Sequence, residues 1–346
     1  MSKRNLLLTF LFLAVLISLP ASLAMGAFDL SFLEAAQIIW SKLSGFTDFQ
    51  DQRLAAVIWQ IRLPRVLLSL MVGASLAISG AALQGLFRNP LADPSIIGIS
   101  MGAALSAAVV IVLADGVLAA NYSMGGISFL AVATFFGALI TTFLIFRIAK
   151  EGKQVNVMNM LLAGIAINAI AAAGVGLLTF LADNEELRTL TFWTLGSLGG
   201  ATWLSVGVLA ISTFFSLYFL LPLFKSFNAL ALGEQEAAYM GVNTEKLKLK
   251  VIIFSALAIG TGVAFCGMIS FVGLVVPHII RLIFGGDYRI LLPTSALGGG
   301  LLLCWADNLA RTAVIPAELP IGILTALFGA PVFLYLILNR KKLQVK

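Results

Sequence analysis

The sequence predicts an all-α protein that crosses a membrane many times, and three observations predict this fold class. Apolar residues make up 60% of the 346 residues, whereas charged residues make up only 11%. The mean hydropathy is +1.03, which soluble globular domains do not reach. The apolar residues also fall in runs of about 20, the length that an α-helix needs to cross the hydrocarbon core of a bilayer. We therefore expect a single transmembrane domain over residues 1–346.

Ten apolar runs are expected to span the membrane. The second and third are separated by a turn with Arg88, Pro90 and Pro94, which must lie at the membrane surface because unpaired backbone groups are not tolerated against lipid. The eighth is short and contains Pro277, which lacks a backbone donor. The predicted spans are residues 5–25, 64–86, 95–114, 126–148, 155–181, 203–224, 249–269, 271–285, 290–308 and 319–339.

The N-terminal run has two interpretations. Lys3 and Arg4 precede the apolar residues 6–19, and small residues follow at 21–24, as in cleaved signal peptides. A retained first span is the favoured interpretation, because an even number of spans then places both termini in the cytoplasm.

The distribution of basic residues gives the orientation. With both termini in the cytoplasm, most of the 22 Lys and Arg residues lie in the inner segments, as the positive-inside rule requires. The net charge of +6 therefore reflects membrane topology and does not indicate nucleic acid binding. The outer segments hold only Lys42, Arg53, Arg62, Arg65, Arg188 and Arg311.

Three of these outer arginines, Arg62, Arg65 and Arg311, lie at span ends. One interpretation is that their long side chains reach from apolar surroundings to the membrane surface. The other is that they bind acidic residues of a soluble partner, because the planar guanidinium group pairs with a carboxylate through two hydrogen bonds.

The predicted spans lack the groups that an independent transporter or an enzyme would need. No Asp, Glu or Lys lies deep inside a span, and Asp307 and Arg281 lie near span ends. Ion-coupled transporters usually place ionisable groups along their path. There is no GxxxxGKS or GxxxxGKT phosphate loop and no metal-spaced Cys/His cluster, and His278, Cys266 and Cys304 are expected to be packing residues. Uphill transport would therefore take its energy from a partner, with no cofactor, metal or catalysis in this chain.

A cytoplasmic segment between the sixth and seventh spans, residues 229–250, carries a short amphipathic pattern. Leu232, Ala237, Ala238 and Met240 can share one face of a helix, and Gly241 ends it. A small helix on the cytoplasmic surface suits insertion into a groove of another protein. An ordinary surface loop is the alternative interpretation.

Four stretches of the sequence resemble the permeases of binding-protein-dependent ABC importers for iron chelates, haem and cobalamin. They are IRLPRVLLSLMVGASLAISGAALQGLFRNPLADPSIIGIS at 61–100, LGEQEAAYMGV at 232–242, ISFVGLVVPHIIRLIFGGDYRILLP at 269–293 and AELPIGILTALFGAPVFLYLIL at 317–338. The resemblance runs from about residue 53 to residue 338. It implies the type II ABC importer permease fold, with ten transmembrane helices and an inverted repeat.

The resemblance also implies the partners. They are a second copy of the chain, two cytoplasmic ATPase subunits that bind ATP and Mg²⁺, and a periplasmic substrate-binding protein, assembled in a bacterial inner membrane. Arg62, Arg65 and Arg311 match arginines that meet glutamates of the binding protein. The residues that match the ATPase-coupling region are Leu232, Gly233, Glu234, Ala237, Met240 and Gly241.

Two glycine patterns bear on the packing of the spans. Gly73 and Gly80 in the second span have the same spacing as Gly260 and Gly267 in the seventh, which we interpret as a trace of the inverted repeat. The three glycines at 298–300 are expected to permit close approach of helices.

The outer segment 182–203 bears on the substrate. Arg188, Phe192 and Trp193 place a positive charge and aromatic surface near the expected outer mouth, which favours an anionic chelate on the substrate path. A helix anchored at the membrane interface by tryptophan is the alternative. The stretch LRTLTFWTLGSLGGATW at 187–203 is most similar to the haem branch of the family. Haem is therefore the expected substrate, with a ferric siderophore or cobalamin as alternatives and an ion-coupled secondary transporter as a function of another class.

Overall fold

The structure is a computed structural model that describes residues 3–25, 31–44, 52–113, 123–124, 127–152, 154–314 and 317–338. The described residues are almost entirely helical, which confirms the all-α prediction. Two short antiparallel hairpins pair β1 (Ser123–Met124) with β2 (Ile127–Ser128) and β3 (Lys150–Glu151) with β4 (Gln154–Val155). The basic C-terminal residues 340–346, which we counted as cytoplasmic, lie outside the described residues.

Fifteen α-helices are present in the described residues. A π-helical turn, Ile58–Arg62, joins α3 to α4, and 3-10 turns form at Pro94–Ile97 and Leu221–Leu223. The α-helices are α1 (Lys3–Ala24), α2 (Phe32–Ser44), α3 (Gln52–Val57), α4 (Leu63–Leu86), α5 (Ile99–Leu113), α6 (Phe129–Ile148), α7 (Val157–Leu181), α8 (Asn184–Leu195), α9 (Trp203–Leu220), α10 (Phe224–Leu230), α11 (Glu234–Tyr239), α12 (Thr244–Cys266), α13 (Val272–Phe284), α14 (Tyr288–Thr312) and α15 (Ile321–Leu338).

Each predicted span overlaps one of these helices over most of its length. Within the described residues, seven helical segments are long and apolar enough to cross a membrane, and the apolar helices α5, α13 and α15 are shorter. Ten crossings therefore stay a prediction, because a helix much shorter than about 20 residues crosses only where the bilayer is locally thinned. The seven segments are Asn5–Ala24, Arg53–Leu86, Phe129–Ile148, Val157–Leu181, Trp203–Leu230, Thr244–Cys266 and Tyr288–Thr312.

Helix α4 is the central element of the fold. It packs against α14, α13, α12 and α9, and nearly all of its residues are buried. Small residues permit this contact, since a Cβ atom at Gly73 would overlap the carbonyl oxygen of Gly299, and one at Gly80 would overlap that of Gly273. Backbone-to-backbone contact of this kind is how helices associate where no water drives them together.

The two glycine predictions have different outcomes. Gly299 and Gly300 of α14 do face the backbone of α4, whereas Gly298 faces the side chain of Val276. The equivalence of Gly73 and Gly80 with Gly260 and Gly267 as a trace of the inverted repeat stays a prediction, and the two pairs have different surroundings. Gly260 has only ordinary contacts, and Gly267 ends α12 with a φ of +69°, so equal spacing reflected two different needs for glycine.

Several helices leave broad apolar faces uncovered in the single chain. Helix α7 exposes Ile165, Ile170 and Phe180 among others, and α15 exposes Leu327 and Tyr335. Faces of this size require lipid or another protein against them.

Candidate functional site

The predicted coupling region forms a short helix on a turn. Helix α11 covers Glu234–Tyr239, which lies inside the predicted 232–241. Gly233 precedes it with a φ of +144°, and Gly241 follows it with a φ of +82°. These conformations favour glycine, and the amide of Val242 donates to the carbonyl of Ala237 beyond the left-handed residue, as in a helix that ends on glycine.

The apolar face of this region differs from the predicted one. Ala237 is fully buried against the protein, whereas Leu232 and Met240 are 68% and 63% exposed. Tyr239, which the sequence interpretation missed, is 89% exposed. The prediction that Ala237 shares the outer face is wrong because Leu232 lies in a turn before α11, so a single helical wheel does not apply. We call the exposed residues Leu232, Tyr239 and Met240 the cytoplasmic apolar patch.

A buried lysine pairs with the first residue of α11, the helix that carries part of this patch. Lys248 of α12 is 4% exposed, and its Nζ lies 2.5 Å from Glu234 Oε1 and 2.9 Å from Glu245 Oε1. It also donates to the carbonyl oxygen of Val155 in β4, at 2.8 Å. We call Lys248, Glu234, Glu245 and Val155 the cytoplasmic cluster. The sequence placed Lys248 only among the inner charges, because its partners lie in elements that meet only in the folded chain.

A recess opens beside the cytoplasmic cluster. Its volume is about 740 Å³, and its walls include Arg88, Glu151, Met158, Glu245 and Lys248. The recess therefore lies between the turn after α4, the β3–β4 hairpin and the start of α12.

At the other end of the spans, Arg65 pairs with two carboxylates. Its Nε and Nη2 donate to Asp307 at 3.0 and 2.9 Å, and its Nη1 lies 2.9 Å from Glu318. Asp307 is 1% exposed and is also 3.4 Å from Nε of Arg311. We call Arg65, Asp307, Arg311 and Glu318 the outer cluster.

The other two predicted docking arginines are also turned inward. Arg62 is buried and donates to the carbonyl oxygen of Leu23 at 2.6 Å. Arg311 donates to the carbonyl oxygen of Ser22 at 3.1 Å and to the side chain of Asn308. These carbonyls belong to the last turn of α1, where helix geometry leaves them without intrahelical partners.

The structure places the three predicted docking arginines in contacts within the chain. Arg62, Arg65 and Arg311 are occupied by groups of the same chain, and their guanidinium groups do not form an open basic surface. The pairing of Arg65 with Asp307 joins residues that are 242 positions apart, which the position of an arginine at a span end does not reveal. Their docking role stays a prediction that this geometry does not support.

The predicted substrate-path residues separate into two groups. Arg188 and Phe192 lie together on the exposed side of α8, with the guanidinium carbon 5.8 Å from the ring centroid. Trp193 instead turns inward and packs against the hydrophobic core, and its role on the substrate path stays a prediction. Its inward orientation follows from the 100° rotation between successive residues of a helix. Phe192 also lines a cavity of about 180 Å³ beside the outer cluster.

The residues expected to serve packing do so. His278 is buried and meets the ring of Phe333 edge-on at 6.4 Å between centroids. Cys266 and Cys304 are buried free thiols. Across the described part of the chain, no group of three or more His, Cys, Asp and Glu residues has the arrangement of a metal site.

Comparison with known proteins adds a family and a fold. Residues 11–339 match the sequence model of the FecCD transport family. The hemin transport system permease protein HmuU of Yersinia pestis is 45% identical over 341 residues, which cover 98% of this chain and 97% of that protein. The vitamin B12 import system permease protein BtuC of Klebsiella pneumoniae is 39% identical over 288 residues, 82% of this chain and 83% of that protein. A solved structure described as a metal-chelate type ABC transporter in an inward-facing conformation superposes with a TM-score of 0.83 at 33% identity, covering 97% of this chain and 99% of that one.

Proposed function

Because the chain belongs to the FecCD transport family, we propose that it is the permease subunit of an ATP-driven importer that moves haem from the periplasm to the cytoplasm. The observation that carries this proposal is the match to the Yersinia pestis hemin permease, which extends over 98% of this chain. The chain supplies the path through the membrane and no catalysis. Two cytoplasmic ATPase subunits bind ATP and Mg²⁺ and hydrolyse the nucleotide.

The cytoplasmic apolar patch supports the attachment of the ATPase subunits. Tyr239, Met240 and Leu232 extend large apolar side chains from a loop region that connects spans, and such a patch outside the bilayer marks a protein contact. Closure of the ATPase subunits on ATP would displace α11. The attached helices would then change which end of the path is open.

The remaining assembly is proposed from the family and from the surface of the chain. The apolar faces of α7 and α15 suit a symmetric contact with a second copy, together with lipid. A periplasmic substrate-binding protein would deliver the substrate to the outer end. The positive-inside distribution supports an orientation with both termini in the cytoplasm, and the proposed location of this multi-pass protein is a bacterial inner membrane.

Two observations bear on the alternatives. The vitamin B12 permease relative keeps cobalamin as an alternative substrate, and a ferric siderophore is the other, since the exposed Arg188 suits any anionic chelate. The ion-coupled secondary transporter is disfavoured by Asp307, a buried acidic residue at the end of α14. Its carboxylate is already paired with Arg65 and Arg311, so it does not present an open acidic site for a transported ion.

The experiment that tests the substrate is ATP hydrolysis by the complex in liposomes. The chain, its cognate ATPase and its cognate binding protein would be presented with equal concentrations of haem, ferric siderophores and cobalamin. Stimulation by haem alone supports the proposal. Stimulation by only a siderophore or cobalamin would overturn the haem assignment and retain the importer, and stimulation by none of them would reject both.

A further inference from the structure

Lys248 joins three separate elements at the cytoplasmic end. Its ammonium group contacts Glu234, the first residue of α11, and Glu245 in the first turn of α12. Its third partner is the carbonyl oxygen of Val155 in β4. A lysine that is 4% exposed and has three oxygen partners is held in position. Losing these contacts would leave its charge buried without compensation, which costs free energy.

The β3–β4 hairpin is tied to the same cluster through a second bond. The amide of Val155 donates to Glu245 Oε2 at 2.8 Å, so both backbone groups of Val155 are held by side chains of α12. The amide of Asn156 then donates to Ala149 O at 3.0 Å.

The hairpin in turn determines where α7 begins. The side chain of Asn156 accepts from the amides of Met158 and Asn159 at 2.9 and 3.3 Å, which caps the N-terminus of α7. A displacement of Val155 therefore moves the first turn of a 25-residue helix. No flexible linker lies between Val155 and this cap.

We propose that Lys248 is the positioning residue that transmits movement of α11 to the start of α7. The inference rests on the proposed function, since α11 is displaced only if an ATPase subunit binds there. Glu234 is the input contact, because its side chain is 39% exposed on the helix that carries the cytoplasmic apolar patch. Val155 is the output contact. Without the ammonium group, Glu234 and Glu245 would repel each other and α11 would move independently of the hairpin.

The first test uses the purified chain alone and does not depend on any partner. Hydrogen–deuterium exchange at the amides of Val155 and Asn156 is compared in Lys248→Met and in Lys246→Met, an exposed lysine of the same helix. Exchange should be about tenfold faster in Lys248→Met, the loss expected for hydrogen bonds to a charged group, and unchanged in Lys246→Met. Equal exchange in both variants would overturn the proposal. If Lys248→Met does not fold, Lys248→Gln, which removes the charge but keeps a polar side chain, provides the same test at Val155.

The second test measures substrate imported per ATP hydrolysed in the reconstituted complex. Lys248→Met should lower this ratio about tenfold while ATP hydrolysis continues, and Lys248→Arg should keep about half of it or more, because a guanidinium group retains the charge and the donors. An unchanged ratio in Lys248→Met would overturn the transmitting role. Absence of ATP-dependent import by the unaltered complex would instead refute the proposed function and leave the exchange result standing.

Discussion

The two ends of the spans both bury basic residues, but they present different surfaces. In the outer cluster, Arg65 and Arg311 share the buried Asp307, and the charges are satisfied within the chain. In the cytoplasmic cluster, Lys248 is also buried, yet its partner Glu234 begins the short helix that carries exposed apolar side chains. The comparison teaches that a basic residue at a span end does not by itself indicate a docking surface. At the cytoplasmic end, the exposed apolar patch is the proposed contact with the ATPase subunit, and the ion pairs of Lys248 hold α11 in position.

The largest expected effect comes from removing the shared carboxylate of the outer cluster. Asp307→Ala would leave the guanidinium groups of Arg65 and Arg311 buried without their common partner. The loss of stability should be roughly 3–5 kcal/mol, as for a broken buried ion pair. Thermal unfolding of the purified protein in detergent measures it.

The matched control at the same cluster is Glu318→Gln. The Glu318 side chain is 47% exposed, so water replaces the lost interaction and the effect should be below about 1 kcal/mol. Similar melting temperatures for Asp307→Ala and Glu318→Gln would contradict the role of Asp307 as the buried shared partner of Arg65 and Arg311.

The second effect concerns the cytoplasmic apolar patch. The double variant Tyr239→Ser and Met240→Ser should weaken binding of the ATPase subunit by about tenfold or more, because exposed aromatic side chains often dominate interface energies. Phe192→Ser, which alters an exposed aromatic residue at the outer end, should leave this affinity unchanged. Affinity is measured by titrating labelled ATPase onto the chain in nanodiscs. Unchanged binding by the double variant would remove the distinction between the two ends.

A smaller effect is expected at the outer mouth. Arg188→Ala should slow import about threefold at low salt, because one exposed charge attracts an anionic substrate weakly and is screened at high ionic strength. Lys42→Ala, an exposed outer lysine away from α8, is the control. Uptake rates at low and high salt measure the effect, and a loss that persists at high salt would mean that Arg188 acts by contact.

The smallest effect is a pH dependence in α2, where a carboxylate is exposed and not paired with a cation. The backbone amide and hydroxyl of Ser31 donate to Glu34 at 2.8 Å, and these bonds lower the pKa of Glu34 below its ordinary value. These two hydrogen bonds form a cap at the start of α2. The cap stabilises α2 fully above the ordinary pKa of glutamate, and this stabilisation is lost as the pH falls through the lowered pKa of Glu34.

Hydrogen exchange in α2 between neutral and acidic pH measures this dependence. Glu34→Gln should abolish the part of it that arises from the cap. A pH response that persists in Glu34→Gln would assign it to another group.

The sequence predicted the helices and the ends of the coupling helix better than it predicted side-chain partners. Each predicted span coincides with an apolar helix, although ten crossings stay a prediction, and Gly241 follows the end of α11 where the stop signal placed it. The helices α2, α3 and α10 were not predicted as elements, and α8 was offered only as one of two interpretations, because short helices lack a span-length signal. The pairing of Arg65 with Asp307, and of Lys248 with Val155, depends on which helices meet. Charge position and periodicity do not contain that information.

The central claim is that ATP drives transport through the cytoplasmic end of this chain. The most direct measurement is haem uptake into liposomes that contain the complete complex and enclosed ATP, with proton and sodium gradients collapsed by ionophores. The account predicts that uptake continues under these conditions and stops when a non-hydrolysable ATP analogue replaces ATP. Uptake without ATP, restored by imposing an ion gradient, would contradict it.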